Sequence, residues 1–197
     1  MLVSILIASR ARIHRLVNSI KSIYKTARTG DFEILIRFDD DDQDSLSNLH
    51  LLSPFKKVKY IIGPRFEGYG SHCVFMDELA AIAQGTWLFF LDDDGTIRGV
   101  DWDSQLSQIP TTGKIVHPEF YWLGTCRYGS GSCVPVAICV PNKCWLEMGW
   151  DKLKQPIDLQ LQTLLENQGW ENQWLLGITA RHKRDNDEIL AEHRKLK

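Results

Sequence analysis

The stretch WLFFLDDDGTI, Trp87 to Ile97, runs five apolar residues into three consecutive aspartates. A short apolar run closed by a polar turn reads as a buried strand. Adjacent carboxylates at its end repel, and each resists ionising beside the others. The pattern therefore calls for a positive group at this strand end. A hard divalent cation, Mn2+ or Mg2+, takes oxygen ligands, shares them with a substrate's phosphates and would offset that repulsion. A solvated acidic turn is the plain alternative.

Upstream, Leu2–Ala8 is a Val- and Ile-rich run that reads as a strand, and Ser9 after it offers an N-cap. Ile13, Leu16, Val17, Ile20, Ile23 and Tyr24 recur at three- and four-residue spacing, which predicts an amphipathic helix. FEILIRF (Phe32–Phe38) is a second strand running into DDDDQD (Asp39–Asp44), and Lys57–Ile62 is a third, followed by the glycine-rich GPRFEGYGS. Helical spacing returns over Phe75–Ala83, with Gly85 as its C-cap before the strand Thr86–Leu91. Alternating strand and helix predicts a parallel α/β sheet. Ligands of such sheets bind outside the carboxyl ends of the strands, where both aspartate runs fall.

The second half is less regular. Ile115–Pro118 and Val134–Val140 read as strands around the loop GTCRYGSGS (Gly124–Ser132), whose Gly129–Gly131 tip could close over a substrate. Leu159–Asn167 reads as a helix closed by Gly169, Trp174–Thr179 as a last strand, and Asp185–Lys197 as a charged surface helix. No repeat or low-complexity linker divides the 197 residues, so one domain is expected over 1–197, with a charged tail over 183–197.

The balance of 23 basic and 25 acidic residues carries no electrostatic footprint for nucleic acid, and no nucleic-acid partner is expected. Five cysteines without a C-x-x-C pair support neither a disulfide framework nor a zinc site, and fit buried or free thiols in a reducing compartment. The apolar start MLVSILIA lacks a basic region and a cleavage site, and no run approaches the roughly 20 residues of a membrane span. A cytoplasmic protein without a transmembrane segment is expected. A calcium loop beginning at Asp40 fails, because Ser45 stands where the turn needs Gly and Leu51 where it needs Glu.

The order of these pieces resembles the family two glycosyltransferases of the glycosyltransferase A fold. SILIASRAR stands for their first strand and turn, with Ala8-Ser9 for the usual Pro-Thr. DDDDQD stands for D-D-G-S-x-D, with Asp41 and Asp42 in place of Gly and Ser. AQGTWLFFLDDDGTI follows their A-x-G, apolar strand and D-x-D through Ala83, Gly85, Asp92 and Asp94. MGWDKLKQPIDLQLQTLLENQGW resembles their late acidic turn and helix, with Ile157 for the Glu before the acid. Met76-Asp77 stand where the family has Arg-Asn. The resemblance covers roughly residues 1 to 182.

The resemblance implies a single-domain glycosyltransferase A-like α/β fold, with a mostly parallel central sheet flanked by helices, a nucleotide-binding half over 1–100 and an acceptor half over 101–182. It also implies a metal-dependent, inverting transfer of sugar from a UDP- or GDP-sugar to a glycan, lipid or protein acceptor. Asp39 would accept a hydrogen bond from the base and Asp40 would lie near the ribose. Ser9 would sit by the nucleotide, and Arg10 and Arg12 would reach the diphosphate. Asp92 and Asp93 would contact ribose or sugar, while Asp94, joined by His182, would hold Mn2+ or Mg2+. Asp158, or its rival Asp151, would be the base that takes the acceptor's proton, although either could instead cap the helix it precedes. Tyr121, Trp122 and Trp150 could stack on sugar rings or simply pack the core. The departures at Met76, Asp77 and Ile157 keep a second expectation open, a nucleotide-sugar-binding module without catalysis. A sugar nucleotidyltransferase is disfavoured, because ASRARIHRL lacks its glycine-rich loop.

Overall fold

The computed structural model describes residues 2–66, 71–122, 126–127, 137–148 and 157–182. The first apolar run forms β1 (Val3–Ser9), with Ile5, Leu6 and Ile7 fully buried. Side chains alternate faces along a strand, so burial of all three places β1 inside the sheet with both faces covered. Each such side chain stabilises the fold by about 1.5–3 kcal/mol. On one face Ile5 and Ile7 meet Leu16, Ile20 and Ile23 of α1 (Ile13–Thr26); on the other, Leu6 meets Met76 and Leu79 of α3 (Ser71–Ile82).

β2 (Phe32–Asp39), β3 (Val58–Gly63) and β4 (Trp87–Leu91) complete a parallel half in the order β3-β2-β1-β4. Beyond β4 the sheet is mixed. β8 (Ala137–Pro141) runs antiparallel to β4 and to β6 (Lys114–Trp122), β6 is parallel to β9 (Glu171–His182), and β5 (Gly95–Arg98) closes the path antiparallel to β9. The two-residue β7 (Cys126–Arg127) pairs with β6. The sheet curls so that β5, at its far end, packs on α1: the Ser19 hydroxyl donates to the Gly95 carbonyl and the Ile97 amide donates to Ser22 Oγ. Trp102, at the start of α4 (Trp102–Leu106), fills the space between, 5.8 Å from the rings of both Phe32 and Phe89. The remaining described α-helices are α2 (Gln43–Ser47), α5 (Asn142–Met148) and α6 (Ile157–Asn167), and Leu49–Leu52 forms a short 3-10 helix.

The expected α/β sheet flanked by helices is therefore present, with its parallel part confined to β1–β4 and the β6/β9 pair. Two capping expectations are corrected. Ser9 is the last residue of β1, and Arg12 occupies the N-cap position of α1 without a side-chain cap. Gly85 lies three residues past α3, and its role is close packing: a Cβ there would stand 2.4 Å from the Ser4 amide nitrogen. Cys73, Cys139 and Cys144 are buried, and burial pushes the Cys139 thiol well up. No described helix is long and apolar enough to cross a membrane.

Candidate functional site

The chain lays β2 and β3 on one side of β1 and then crosses back to lay β4 on the other. This reversal leaves a crevice at the carboxyl ends of the parallel strands, the place where open α/β sheets bind ligands. Ser9 ends β1, Asp39 ends β2, and Asp92–Asp94 follow β4.

The acidic run after β4 is a tight turn, in which the Gly95 amide donates to the Asp92 carbonyl. Asp92 is half-buried, while Asp93 and Asp94 are buried. Ser9 donates its hydroxyl to Asp93 Oδ2 over 2.9 Å. Arg12 Nη1 lies 3.5 Å from Asp93 Oδ1 and 3.7 Å from Asp94 Oδ2, and Arg15 Nη1 is also 3.7 Å from Asp94 Oδ2. The positive charge that this strand end demands is thus supplied in part by two guanidiniums from the start of α1. Burial pushes the Asp93 carboxyl up, against the pull of Ser9 and Arg12, and the neighbouring Asp94 pushes it further.

The turn between β1 and α1 is braced from the second acidic run. Ala11 has φ 53°, the left-handed region that L residues seldom enter. Its amide donates to Asp42 Oδ2 over 2.8 Å, while Asp42 Oδ1 accepts the Ser45 amide and caps α2. Asp42 therefore ties the two loops together. A cavity of about 260 Å³ opens beside this turn, lined by Ala11–Arg15 and Asp44.

Asp39 is held by two arginines. Arg10 Nη1 donates to its Oδ2 over 2.9 Å and also grips Asp41 with both terminal nitrogens. The Arg10 hydrogen bond holds the Asp41 carboxyl below the usual carboxylate range, and Asp41 and Asp39 together raise Arg10. Arg37 Nη1 donates to Asp39 Oδ1 over 3.1 Å. The Arg37 side chain is 1% exposed. Its Nε donates to Glu78 Oε2 over 2.7 Å, its Nη2 to the Pro64 carbonyl over 2.6 Å, and its Nη1 also to the Phe38 carbonyl. The guanidinium carbon stands 4.4 Å from the Phe75 ring centroid. Asp40 is exposed, and its amide donates to the Gly63 carbonyl.

Of the residues singled out in the sequence, Ser9, Arg10, Arg12, Asp39, Asp40, Asp92, Asp93 and Asp94 gather at these strand ends. The main chain of His182, at the end of β9, is in register with Gly95 of β5, directly after Asp94. Its side chain lies outside the described ones. Asp158 is the second residue of α6, so it sits inside the helix it was expected to precede; its side chain too lies outside the described ones. Asp151, Trp150 and the Gly129–Gly131 tip lie outside the described residues, and Tyr121 and Trp122 are described as strand backbone only. Among the described residues no three His, Cys, Asp or Glu side chains form a group that could hold a metal ion.

Two members of the site escaped the sequence reading. Arg15 was one of several arginines following β1. Arg37 left a clearer signal, a positive charge inside a strand that is apolar apart from Glu33 and the closing Asp39, and its partner Glu78 lies 41 residues away.

No family model matches the chain, and no curated protein matches it. Its structure is similar to the crystal structure of S. aureus TarS, a glycosyltransferase, with a TM-score of 0.66 at 12% identity. The match covers 99% of this chain and 39% of TarS. At that identity the likeness is one of fold, and the fold is glycosyltransferase-like.

Proposed function

We propose that the protein is a metal-dependent, inverting glycosyltransferase of the family two kind, moving a sugar from a UDP- or GDP-sugar to a hydroxyl of a glycan, lipid or protein acceptor. One observation carries this reading. Two acidic strand ends, Asp39 and Asp92–Asp94, flank β1 at the point where the strand order reverses, with Arg10, Arg12 and Arg15 beside them. Mixed acid and guanidinium suits a nucleoside diphosphate, whose base offers N–H donors and whose phosphates take positive charge.

In this reading Asp39 accepts an N–H from the base and Arg10 and Arg12 meet the diphosphate. Asp92 and Asp93 lie by the ribose or sugar. Asp94 and His182 would hold Mn2+ or Mg2+, a carboxylate and an imidazole being donor types whose chemistry suits such a cation. When bound, the cation supplies Lewis-acid neutralisation of the charge on the leaving diphosphate. Asp158, with Asp151 as its rival, takes the proton of the acceptor hydroxyl as its oxygen bonds to the anomeric carbon, and the bond to phosphate breaks with its electron pair leaving on the diphosphate.

Calorimetric titration of UDP, GDP and CDP, with and without Mn2+, into wild type and Asp94→Ala tests the site. Binding of one nucleotide that requires both metal and Asp94, followed by transfer in an acceptor screen, is the expected result. No binding of any nucleotide would overturn the proposal. A second reading, a nucleotide-sugar-binding module without catalysis, is favoured by Met76: it is 1% exposed and packs in the core with Leu6 and Leu79, so it cannot replace the family's polar contact. Nucleotide binding with neither transfer nor slow hydrolysis of the sugar nucleotide would select that reading.

A further inference from the structure

We infer that the pole of the molecule opposite the strand-end crevice is a docking surface for an anionic lipid bilayer, formed by two exposed aliphatic tips in a collar of cations. Val100 is 66% exposed and Leu176 76% exposed, the highest values among the large apolar residues exposed in the described chain. Single exposed aliphatics are ordinary, but these two stand on turns that pack against each other. Gly99 and Gly177, with φ 99° and 70°, make those turns, and a Cβ on Gly99 would lie 2.4 Å from the Gly177 carbonyl oxygen. Gln105 Nε2 of α4 donates to the Leu176 carbonyl over 3.0 Å and fixes the second turn. The backbone thus holds both side chains outward on a preformed base.

Positive charge surrounds the tips. Arg98 is exposed two residues before Val100. On the other side of Val100, the Asp101 amide donates to the Thr26 carbonyl over 2.8 Å, which brings the end of α1 against the turn. Lys25, in the last turn of α1, is exposed, and the Arg28 side chain just beyond it is 68% exposed. Lys57 donates to the Gly30 carbonyl of the same loop. The acids in these loops are Asp31 and Asp101, and Arg28 Nη1 stands 3.1 Å from Asp101 and neutralises it. A chain of net charge −2 therefore presents an excess of cations at this pole.

This combination selects the partner. Aliphatic tips gain by entering the boundary between headgroups and acyl chains, while Lys and Arg stems lie along that boundary and keep their charges level with anionic headgroups. Two tips are too small a surface to hold a protein, whose stable interfaces take about 800 Å² from each partner. Orientation follows from the helix that joins the two poles. α1 starts beside the crevice and runs 14 residues, about 20 Å, to Thr26. Docked in this way, the protein holds the crevice roughly 20 Å from the headgroups, open to a soluble sugar nucleotide.

Flotation of the full chain with vesicles of phosphatidylcholine alone, and of phosphatidylcholine mixed equally with phosphatidylglycerol, tests the surface. Wild type is expected to float with the mixed vesicles, to stay in solution with the neutral ones, and to be released as salt screens the headgroups. Lys25→Gln and Arg98→Gln should each weaken association about fivefold, the worth of one cation near an anionic surface. Val100→Ser combined with Leu176→Ser should weaken it about tenfold with the salt dependence retained. All four positions are exposed, so the unfolding midpoint and nucleotide binding should stay at wild-type values, which separates this surface from the fold and from the crevice. Equal flotation with both vesicles, affinity for the mixed vesicles unchanged in the variants, or no flotation at all would overturn the inference and leave the nucleotide site standing. So would self-association in sedimentation velocity that the Val100→Ser and Leu176→Ser pair abolishes without any vesicle binding, which assigns the tips to a contact between copies of this chain.

Discussion

The Ser9 hydroxyl donates to Asp93 Oδ2 over 2.9 Å and so joins the carboxyl ends of β1 and β4, 84 residues apart in sequence. Burial already opposes ionisation of Asp93, and Ser9 is the first of the groups that pull it back. Ser9→Ala leaves the carboxylate with fewer donors in a buried place. The expected loss is about 1–3 kcal/mol of stability at neutral pH, read from the midpoint of urea unfolding. An unchanged midpoint would mean that this link contributes nothing to the fold.

Arg12 and Arg15 both stand within 3.7 Å of Asp94 Oδ2. Two guanidiniums at that distance oppose the arrival of a divalent cation, although the half-exposed Arg12 is partly screened by solvent. A diphosphate that draws the arginines toward itself would relieve the opposition. Mn2+ is therefore expected to bind weakly alone and tightly with nucleotide. Arg15→Met should tighten Mn2+ binding without nucleotide by roughly tenfold, as measured by the paramagnetic signal of free Mn2+. Equal Mn2+ affinity in wild type and variant would count against electrostatic competition at Asp94.

A general base contributes about 100- to 10,000-fold to a transfer of this kind. Asp158→Asn is accordingly expected to cut the turnover number by at least about 100-fold while UDP or GDP affinity stays within about threefold. The same profile from Asp151→Asn, with Asp158→Asn active, would move the role to Asp151. Full activity in both variants would remove the base from this segment.

Gly85 is held by sterics, because a Cβ would meet the Ser4 amide nitrogen at 2.4 Å and the Val3 carbonyl carbon at 2.7 Å. These are backbone atoms inside the parallel sheet, and they cannot step aside as a flexible side chain can. Gly85→Ala is expected to cost about 3 kcal/mol or more, since overpacking against a rigid wall strains the backbone. It would also disturb the Gly85 amide, which donates to Ser4 Oγ over 2.8 Å. A thermal midpoint within 2 °C of wild type would show that the backbone at the start of β1 can yield.

The parallel half was legible in the sequence because strands buried on both faces must be continuously apolar. SILIA, FEILIRF and WLFFL have few other uses for their side chains. The acids at their ends were legible for the same reason, since charge directly after a buried strand stands out. What the sequence did not disclose is where each charge finds its partner. Glu33 and Arg37 interrupt the apolar FEILIRF, and both are 1% exposed. Their partners come from distant strands, helices and loops: Lys59, Ser4 and the Gln84 amide for Glu33, and Glu78 and Pro64 for Arg37. β5 was hidden because four residues, GTIR, carry too little pattern to show a strand, and its pairing with β9 depends on the curl of the whole sheet. Ser9 had the right residue type for a cap but is held by Asp93, a partner visible only after β1 and β4 pair.

Asp103 carries the clearest dependence of stability on pH. It is fully buried in α4, where burial alone would push its carboxyl up. Against this, the Arg28 amide donates to Oδ1 over 2.8 Å, and the Thr29 amide, Thr29 hydroxyl and Gly30 amide donate to Oδ2 over 2.8, 2.6 and 2.9 Å. The donors prevail and the folded carboxyl lies below its ordinary value of about 3.9. A carboxylate lowered in the folded state binds protons more readily when unfolded. Its contribution is therefore present in full above about pH 5 and is lost as pH falls through about 3.9 toward the folded value. Asp103→Asn places an amide donor among these N–H groups and should cost about 2–4 kcal/mol at pH 7. The gap between wild type and variant should shrink steadily below about pH 4, as the wild-type carboxylate gains its proton. Urea unfolding of both proteins from pH 7 to pH 3 reads that gap directly, and a gap that stays constant across the range would mean that the four donors do not favour the charged form.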